Sequence, residues 1–198
     1  MSDRDLIRFD RMAPRYDRHP VQALARPIHV AMLGMILDSP RSVLDVGCGT
    51  GVLLAEIGTR WPQAALAGLD AAPGMAAVAR QRLPAADIRE RFAESLPWGD
   101  ASFDLVTTSL SFHHWRDKAA GIRQAARVLR PGGQFLLADV DGDGFTGWAA
   151  RLFGRITKSD EEFLPTPAVA ALMAAAGLGG VDARWPVRGL RVVGCRRR

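Results

Sequence analysis

The sequence predicts a single α/β domain in which a mostly parallel sheet is covered by helices on both faces. Short apolar runs alternate with helical stretches between residues 43 and 138, and this alternation is typical of parallel sheets with crossover helices. The first apolar run ends in a glycine cluster at residues 47–51. A length of 198 residues, 48% of them hydrophobic, fits one domain with its own core.

The first forty residues have a helical pattern and precede the alternating part of the chain. Leu6, Phe9 and Met12 recur at helical spacing, and residues 21–37 form a second apolar helix that ends before Pro40. We expect residues 1–40 to form a helical lid.

Five strands are predicted within residues 41–140, which we expect to form a ligand-binding core. Apolar runs that end at turn residues and lead into helical periodicity are typical of βαβ units. The predicted strands are residues 43–46, 64–69, 87–92, 103–108 and 134–138, and the predicted helices are residues 52–61, 74–83 and 119–129.

The remaining chain divides into an irregular segment and a C-terminal unit. Residues 141–167 are rich in glycine, contain a short predicted helix at about 148–156, and are suited to a substrate loop. Residues 168–198 complete a helix that begins at Thr166 and then form strands 181–187 and 190–195. Because Arg188-Gly189 joins these strands tightly, we expect a hairpin with an antiparallel last strand.

The net charge of +5 is concentrated at the C-terminus. Six of the 26 basic residues and one of the 21 acids lie in residues 182–198, so the rest of the chain is balanced. We therefore interpret the excess as an edge and a tail, and expect no nucleic-acid partner.

Two cysteines give neither a disulfide framework nor a zinc set, and we predict no metal site. The charged start and the lack of a long apolar run indicate a cytoplasmic protein without a membrane span. The oligomeric state is left open.

The glycine cluster carries the sharpest functional signal. Glycines at positions 47, 49 and 51 follow a strand and precede a helix, which lets the backbone turn tightly around a ligand. The spacing is G-x-G-x-G, whereas dinucleotide sites use G-x-G-x-x-G. Asp45 would also repel a pyrophosphate, so the pattern argues against NAD and favours a cationic ligand.

Asp70 lies at the end of the second predicted strand. An acid at that position accepts hydrogen bonds from ribose hydroxyls in nucleotide-binding folds. An aspartate at a strand end also caps the helix that follows, so its position alone leaves both roles open.

Several motifs in order resemble the class I S-adenosylmethionine-dependent methyltransferases, in the group that includes the ubiquinone/menaquinone-biosynthesis C-methyltransferases. They are FDRMAPRYD (9–17), LDVGCGTG (44–51), GLDAAPGM (68–75), AESLPWGDASFDLV (93–106), SFHHWRD (111–117), RVLRPGGQFLLADV (127–140) and LMAAAGL (172–178). The resemblance implies a Rossmann-like three-layer α/β/α sandwich with a seven-stranded sheet and S-adenosylmethionine as cofactor.

The resemblance also assigns cofactor contacts. Asp45 and the glycine loop would face the methionine and ribose parts, Asp70 the ribose hydroxyls, and the Ala93 N–H the adenine. Met75 would lie against the adenine or simply pack between helix and sheet. The full set is Tyr16, Asp45, Gly47, Cys48, Gly49, Gly51, Asp70, Met75, Phe92, Ala93, Glu94 and Ser109.

One position departs from the family pattern. Relatives usually carry an aspartate just before the Ala-Glu pair, where it accepts from the adenine amino group, but this chain has Phe92. Either Glu94 replaces that acceptor or the Phe92 ring stacks or packs there, and we expect weaker cofactor binding than in relatives with aspartate.

A small organic acceptor, aromatic or quinone-like, is the expected substrate. His113 and His114 follow the fourth strand and are the candidate general bases, although they equally suit a structural role in the loop. Aromatic residues expected to line the acceptor pocket, or to form the core of the lid, are Tyr16, Phe112, Trp115, Phe145, Trp148 and Phe153.

Two alternatives to this function stay open. One is an RNA methyltransferase, although Ser109-Leu110-Ser111-Phe112 lacks the Asn/Asp-Pro-Pro-aromatic sequence expected for methylation of a base amine. The other is a cofactor-binding module without turnover. The run from Asp139 to Gly144 copies the start of a calcium loop, but its twelfth position would be Ala150, so we interpret it as an acidic loop.

Overall fold

A computed structural model describes residues 1–144, 147–148 and 161–198 of the chain. The helices are α1 (Asp3–Met12), α2 (Val21–Met35), α3 (Val52–Arg60), α4 (Pro73–Arg82), α5 (Lys118–Val128) and α6 (Thr166–Ala175), with 3-10 turns at Ala13–Arg18 and Phe112–His114. The strands are β1 (Ser42–Val46), β2 (Ala65–Asp70), β3 (Asp87–Glu90), β4 (Phe103–Ser109), β5 (Leu129–Val140), β6 (Leu178–Val187) and β7 (Leu190–Arg197).

The strands form one seven-stranded sheet in the order β3-β2-β1-β4-β5-β7-β6. Neighbours from β3 to β5 pair in parallel, whereas β7 pairs antiparallel with both β5 and β6. The order reverses beside β1, so the carboxyl ends of β1 and β4 border the crevice where ligands bind in such sheets. The predicted three-layer fold, with its antiparallel last strand, is confirmed.

Alternating residues of the central strands supply two cores, one on each face of the sheet. Leu44 joins the core formed with α5 and α6, while its neighbour Val43 joins the core formed with α2, α3 and α4. The helix α2, expected to be part of the lid, therefore packs directly on the sheet through Ile28 and Met32. The elements that lie over the ligand crevice are α1, the turn after it and the start of α2.

Several predicted boundaries differ from the structure. The strand β3 ends at Glu90, so Phe92 lies in the following loop. The strand β5 begins at Leu129 and continues through the Pro131-Gly132-Gly133 sequence expected to precede it, with a register shift against β4. The helix expected at residues 148–156 and the aromatic residues Phe145 and Phe153 lie outside the described residues.

Three of the six C-terminal arginines, Arg184, Arg188 and Arg198, are exposed as expected, but the other three are held within the fold. Arg191 is fully buried, and its Nη1 donates to Asp141 Oδ1 at 3.0 Å and to the Leu164 carbonyl at 2.7 Å. Arg196 and Arg197 lie within β7, where each donates to backbone carbonyls. The expectation of a free tail is wrong because β7 extends two residues beyond the predicted end.

The predicted acidic loop is instead a structural junction. Asp141 also accepts from Thr166 Oγ1 at 2.9 Å and from Trp185 Nε1 at 2.9 Å, so one carboxylate ties β5 to α6 and β6. The Asp139 carboxylate is bound by His113. Both carboxylates that begin the calcium-loop copy are thus used by protein donors.

No helix within the described ranges is both long enough and apolar enough to cross a bilayer.

We expect Arg191→Ala to lower the free energy of unfolding by about 3 kcal/mol, because it leaves a buried carboxylate without its cation. The matched control is Arg184→Ala, whose partner Asp182 is exposed and whose loss should cost less than about 1 kcal/mol. Urea unfolding followed by circular dichroism measures both. Equal, small losses would show that the Arg191 pair does not stabilise the junction.

Candidate active site

A single cleft gathers most of the residues assigned to the cofactor. It lies at the carboxyl ends of β1, β2 and β4 and is roofed by α1, the following 3-10 turn and the start of α2. Its lining includes Tyr16, Asp45, Gly47, Cys48, Gly49, Asp70, Met75, Phe92, Ala93, Glu94, Ser109 and His114. The fold therefore brings together residues that are up to 98 positions apart in the sequence.

Four of the five N–H groups of the glycine loop donate to acceptors within the protein. The N–H groups of Gly47 and Cys48 both donate to the Leu69 carbonyl, at 2.7 and 2.9 Å, and that of Gly49 donates to Asp70 Oδ2 at 2.8 Å. The Gly51 N–H donates to the Cys48 carbonyl. A pyrophosphate needs such donors free, so the structure supports the argument against a dinucleotide.

Two glycines of the loop serve packing instead. Gly47 has φ of 73°, and a Cβ on it would lie 1.8 Å from Ser111 Oγ, so only glycine allows these loops to meet. Gly51 has φ of 80° at the N-terminus of α3, and a Cβ on it would lie 3.3 Å from Ala79 of α4. Gly51 lies outside the cleft lining, in contrast to the role that the resemblance assigned to it.

Asp45 is a nearly fully buried carboxylate at the centre of the cleft floor. Its Oδ1 accepts from Thr107 Oγ1 of the neighbouring strand at 2.8 Å. Burial raises the pKa of Asp45 to about 7; the hydrogen bond from Thr107 lowers it, and the charge of Asp70 raises it further. The free site therefore holds a proton near neutral pH that a bound cation would displace.

Asp70 is the second buried carboxylate and stands at the end of the next strand. It accepts from the Gly49 N–H at 2.8 Å and from the Ala72 N–H at 2.9 Å, so it both fixes the glycine loop and begins the turn into α4. Burial raises the pKa of Asp70 to about 6, although these backbone N–H groups lower it. Each oxygen keeps a lone pair for a ligand hydroxyl.

No salt bridge within the described part of the chain compensates Asp45 or Asp70. Buried charges in proteins are normally paired or held neutral by a proton. Two unpaired acids on adjacent strands thus create a site that favours a cationic ligand with hydroxyl groups.

The far end of the cleft contains Phe92, Ala93 and Glu94. Ala93 is buried, and its N–H has no acceptor among the residues that the structure describes. Glu94 Oε1 accepts from the Asp117 N–H at 3.0 Å, which ties it to the start of α5. The Phe92 ring has the Arg116 guanidinium 4.4 Å from its centroid, so one of its faces is covered by a cation.

The roof of the cleft is held by both apolar and polar contacts. Met75 is buried against Ala13 and Ala72, with Phe9 and Tyr16 packed beside them, so it joins α4 to the roof while also facing the cleft. Asp10 Oδ1 accepts from the Gly74 N–H at 2.7 Å. Asp17 accepts from Thr50 Oγ1 at 2.6 Å and also binds Arg82.

The two predicted bases have different environments. His113 Nδ1 lies 2.8 Å from Asp139 Oδ1, and the His113 N–H donates to Asp139 Oδ2 at 2.9 Å. Burial lowers the pKa of His113, but the charge of Asp139, its hydrogen bond to the ring and the charge of Glu161 together outweigh burial, and the net pKa is raised. Burial and the neighbouring His113 lower the pKa of His114 to about 3, so His114 is neutral at physiological pH.

Position separates these histidines as well. His114 lines the cleft, while His113 lies beside it, with the two ring centroids 4.0 Å apart. The far side of His113 stacks on Phe163, with ring centroids 4.8 Å apart. The sequence placed both on the ligand side of the sheet but had no signal for the Asp139 contact, which depends on the pairing of β4 with β5.

The predicted aromatic pocket is only partly present among the described residues. Tyr16 and Trp115 line the cleft. Phe112 is 1% exposed and belongs to the hydrophobic core, because the 3-10 turn directs it toward α5, so its assignment to the pocket is wrong. Trp148 is 53% exposed.

Sequence reasoning also missed cleft residues. Gln22, Ala25 and His29 of α2 line the cleft, as does Arg91. The spacing of Gln22, Ala25 and His29 is that of one helix face, so helical periodicity places them together. It does not say that this face meets the cofactor site.

Comparisons with known proteins find methyltransferases. The family model described as a methyltransferase domain matches residues 44–137. Demethylmenaquinone methyltransferase from Deinococcus radiodurans is 37% identical over 156 residues, covering 75% of this chain and 63% of that relative. Malonyl-[acyl-carrier protein] O-methyltransferase from Dechloromonas aromatica is 39% identical over 133 residues, covering 67% and 48%. Residues 44–137 therefore match a methyltransferase domain, and both of these relatives are methyltransferases.

Solved structures of methyltransferases have the same fold as this chain. A Thermotoga maritima S-adenosylmethionine-dependent methyltransferase, described as a possible histamine N-methyltransferase, has a TM-score of 0.76 at 21% identity, covering 96% of this chain and 98% of that one. Human N-acetylserotonin methyltransferase in complex with S-adenosylmethionine has a TM-score of 0.66 at 18% identity, covering 87% and 51%. The chain spans only 63% and 48% of the length of the two curated relatives above.

The cleft fits S-adenosylmethionine in charge and in hydrogen bonding. S-adenosylmethionine carries a sulfonium and an ammonium group, and the cleft floor offers two unpaired buried carboxylates. The buried Ala93 N–H and Ser109 Oγ, both without a protein partner in the described ranges, are suited to its polar edges.

We expect S-adenosylhomocysteine to bind about tenfold or more tightly at pH 7.5 than at pH 5.5, because its ammonium group favours ionised Asp45 and Asp70. The raised pKa values of these acids place the change between about pH 5.5 and 7. Isothermal titration calorimetry in two buffers of different ionisation enthalpy should also detect proton release at pH 6.5.

Asp45→Asn should weaken binding and flatten this pH dependence, whereas Asp182→Asn, at an exposed acid, should change neither. An affinity of the native protein that is constant across this range would contradict the assignment.

We expect Phe92→Asp to tighten S-adenosylhomocysteine binding about tenfold, because a carboxylate there accepts from the adenine amino group and lies beside Arg116. Phe92→Leu controls for loss of the ring without gain of an acceptor. Calorimetry at pH 7.5 measures both, and unchanged or weaker binding by Phe92→Asp would refute the adenine assignment.

Proposed function

We propose that this chain transfers the methyl group of S-adenosylmethionine to a small, largely apolar acceptor, aromatic or quinone-like. The observation that carries the proposal is the pair of buried carboxylates, Asp45 and Asp70, left without counter-cations under an aromatic roof. The relatives named for demethylmenaquinone support an acceptor of this class. Both cysteines are buried free thiols, which is consistent with a cytoplasmic location.

The protein acts mainly by binding and positioning. When bound, the cofactor supplies a methyl group that its sulfonium already activates. Asp45 and Asp70 would hold the cationic and ribose parts, while the Ala93 N–H and Phe92 would hold the adenine. Tyr16 and Met75 close the site from above, so water is excluded and the acceptor is held in line with the transferred group.

The acceptor side of the cleft combines apolar walls with polar side chains. Leu110, Trp115 and Ala25 supply apolar surface, and Gln22, His29 and His114 are polar groups of the lining. Since His114 remains uncharged, it is suited to hydrogen bonding with an acceptor hydroxyl or carbonyl rather than to removing a proton. An aromatic acceptor with one or two oxygens matches this lining.

We assign the proton-accepting role to His113. The Asp139 carboxylate holds its Nδ1 and leaves Nε2 as the free nitrogen, which is the usual arrangement of a histidine base oriented by an acid. Its raised pKa makes it the stronger base of the pair. His114 lines the cleft and its ring centroid lies 4.0 Å from that of His113, so a proton from an acceptor held by His114 would have a short path to His113.

The direct test is transfer of labelled methyl from S-adenosylmethionine to a panel of reduced benzoquinones and naphthoquinones. Methylated product that disappears in Asp45→Asn is the expected result. Normal S-adenosylhomocysteine binding without product from quinols, phenols, acyl thioesters or RNA would instead favour the non-catalytic module. Product from RNA alone would favour the RNA methyltransferase.

We expect Asp139→Asn to lower kcat about 10²-fold and to move the rising limb of its pH profile to lower pH. The reason is that Asp139 raises the pKa of His113, and the base must be unprotonated to act. Asp143→Asn, at an exposed acid four residues on, is the control and should leave the profile unchanged. A loss of kcat with an unmoved profile would show that Asp139 only supports the loop.

A further inference from the structure

The lid segment formed by α1 and the following 3-10 turn distributes its charges unevenly, although its composition is nearly neutral. Residues 3–18 contain five arginines and four aspartates, so the segment is nearly neutral in sequence. Three of the aspartates are engaged by protein donors: Asp5 by Ser2, Asp10 by the Gly74 N–H, and Asp17 by Thr50 and Arg82. Asp3 is exposed and lies 3.4 Å from Arg116.

The arginines of the same segment all face outward. They are separated by alternating steps of four and three residues, which places them on one side of α1 and of the turn that extends it. We call this set the arginine face, and it consists of Arg4, Arg8, Arg11, Arg15 and Arg18, all exposed. Arg8 lies 3.6 Å from Glu161, while the other four have no ion pair within the described residues.

The shape and the other side chains of this face suit a lipid surface better than a nucleic acid. It extends over 14 residue steps, roughly 20 Å of helix, and Ile7, 53% exposed, lies beside it. The aromatic side chains of the segment, Phe9 and Tyr16, line the cleft on its inner side. Stacking on bases, which single-stranded RNA binding uses, therefore has no aromatic group here.

The position of the face connects it to the site. Its inner side is the roof of the cleft, so the face and the cleft are separated by one helix, about 10 Å thick. A surface bound to the arginine face would lie this close to the acceptor side. Lipid-soluble acceptors partition into such a surface.

We propose that the arginine face docks this methyltransferase on membranes that contain anionic lipid. The attraction is electrostatic, with Ile7 entering the headgroup region, and it resembles the binding of other basic segments to acidic bilayers. Docking does not require the proposed acceptor to be correct, because it depends only on charges outside the cleft.

The test is sedimentation of the full chain with vesicles of phosphatidylcholine alone or with 30% phosphatidylglycerol, at about 50 and 300 mM salt. The test variant changes Arg4, Arg11, Arg15 and Arg18 to Gln and leaves Arg8 with Glu161. The control variant changes Arg41, Arg123, Arg184 and Arg188, exposed arginines elsewhere, to Gln, so both variants lose the same charge. S-adenosylhomocysteine binding is measured on each to report folding.

The native chain should bind anionic vesicles, release at high salt, and not bind neutral ones. The test variant should bind at least tenfold more weakly, since each arginine contributes about fivefold at a lipid surface, while the control variant should lose much less. Equal losses in both variants, or equal binding to neutral vesicles, would overturn the proposal. So would binding of single-stranded RNA, but not of vesicles, that depends on the arginine face.

Normal vesicle binding with no methyl transfer would refute the proposed function and leave this proposal intact. Methyl transfer to a water-soluble quinol without vesicle binding would refute the docking proposal and leave the proposed function intact.

Discussion

The ligand preference of the cleft depends on two carboxylates that are buried next to each other without a counter-charge. Asp45 and Asp70 end adjacent parallel strands, and the sheet fixes the spacing between them. Burial raises the pKa of both, which means that the free protein is destabilised by their ionisation. A cationic ligand offsets the cost of ionising these acids. The same pair of acids therefore destabilises the empty protein and makes the cleft prefer a cationic ligand. The two cores on either face of the sheet supply the stability that permits it.

The same acids organise the surrounding backbone. Asp70 holds Gly49 and Ala72, Thr107 holds Asp45, and the Leu69 carbonyl takes two N–H groups of the glycine loop. A loop rich in glycine would otherwise be an anion site. Here four of its five N–H groups donate to acceptors within the protein, and the carboxylates of Asp45 and Asp70 offer acceptors to a ligand.

In this chain, tertiary contacts rather than position in the sequence decide which charged side chains are exposed to solvent. The C-terminal arginines look like a solvated tail, but Arg191 is buried beside Asp141, and Arg196 and Arg197 belong to a strand. The lid looks neutral, but Asp10 and Asp17 bind the domain below it, and its arginines are exposed. In both cases a formal charge count misplaces the surface potential, because hydrogen bonds to distant residues decide which charges reach solvent.

The sequence by itself determined the α/β fold, the strand–glycine–helix turn, and the roles expected of Asp45 and Asp70, because hydrophobic periodicity and turn chemistry are local. It did not determine that Gly51 packs on α4, that Phe112 lies in the hydrophobic core, or that α2 packs against the sheet. Each of these depends on which distant element packs against the residue or helix. The pairing of β4 with β5 alone brings Asp139 to His113 and separates the basicities of His113 and His114. Tertiary structure decided these points, because burial and a charged neighbour, not residue type, set a side chain's pKa and its accessibility.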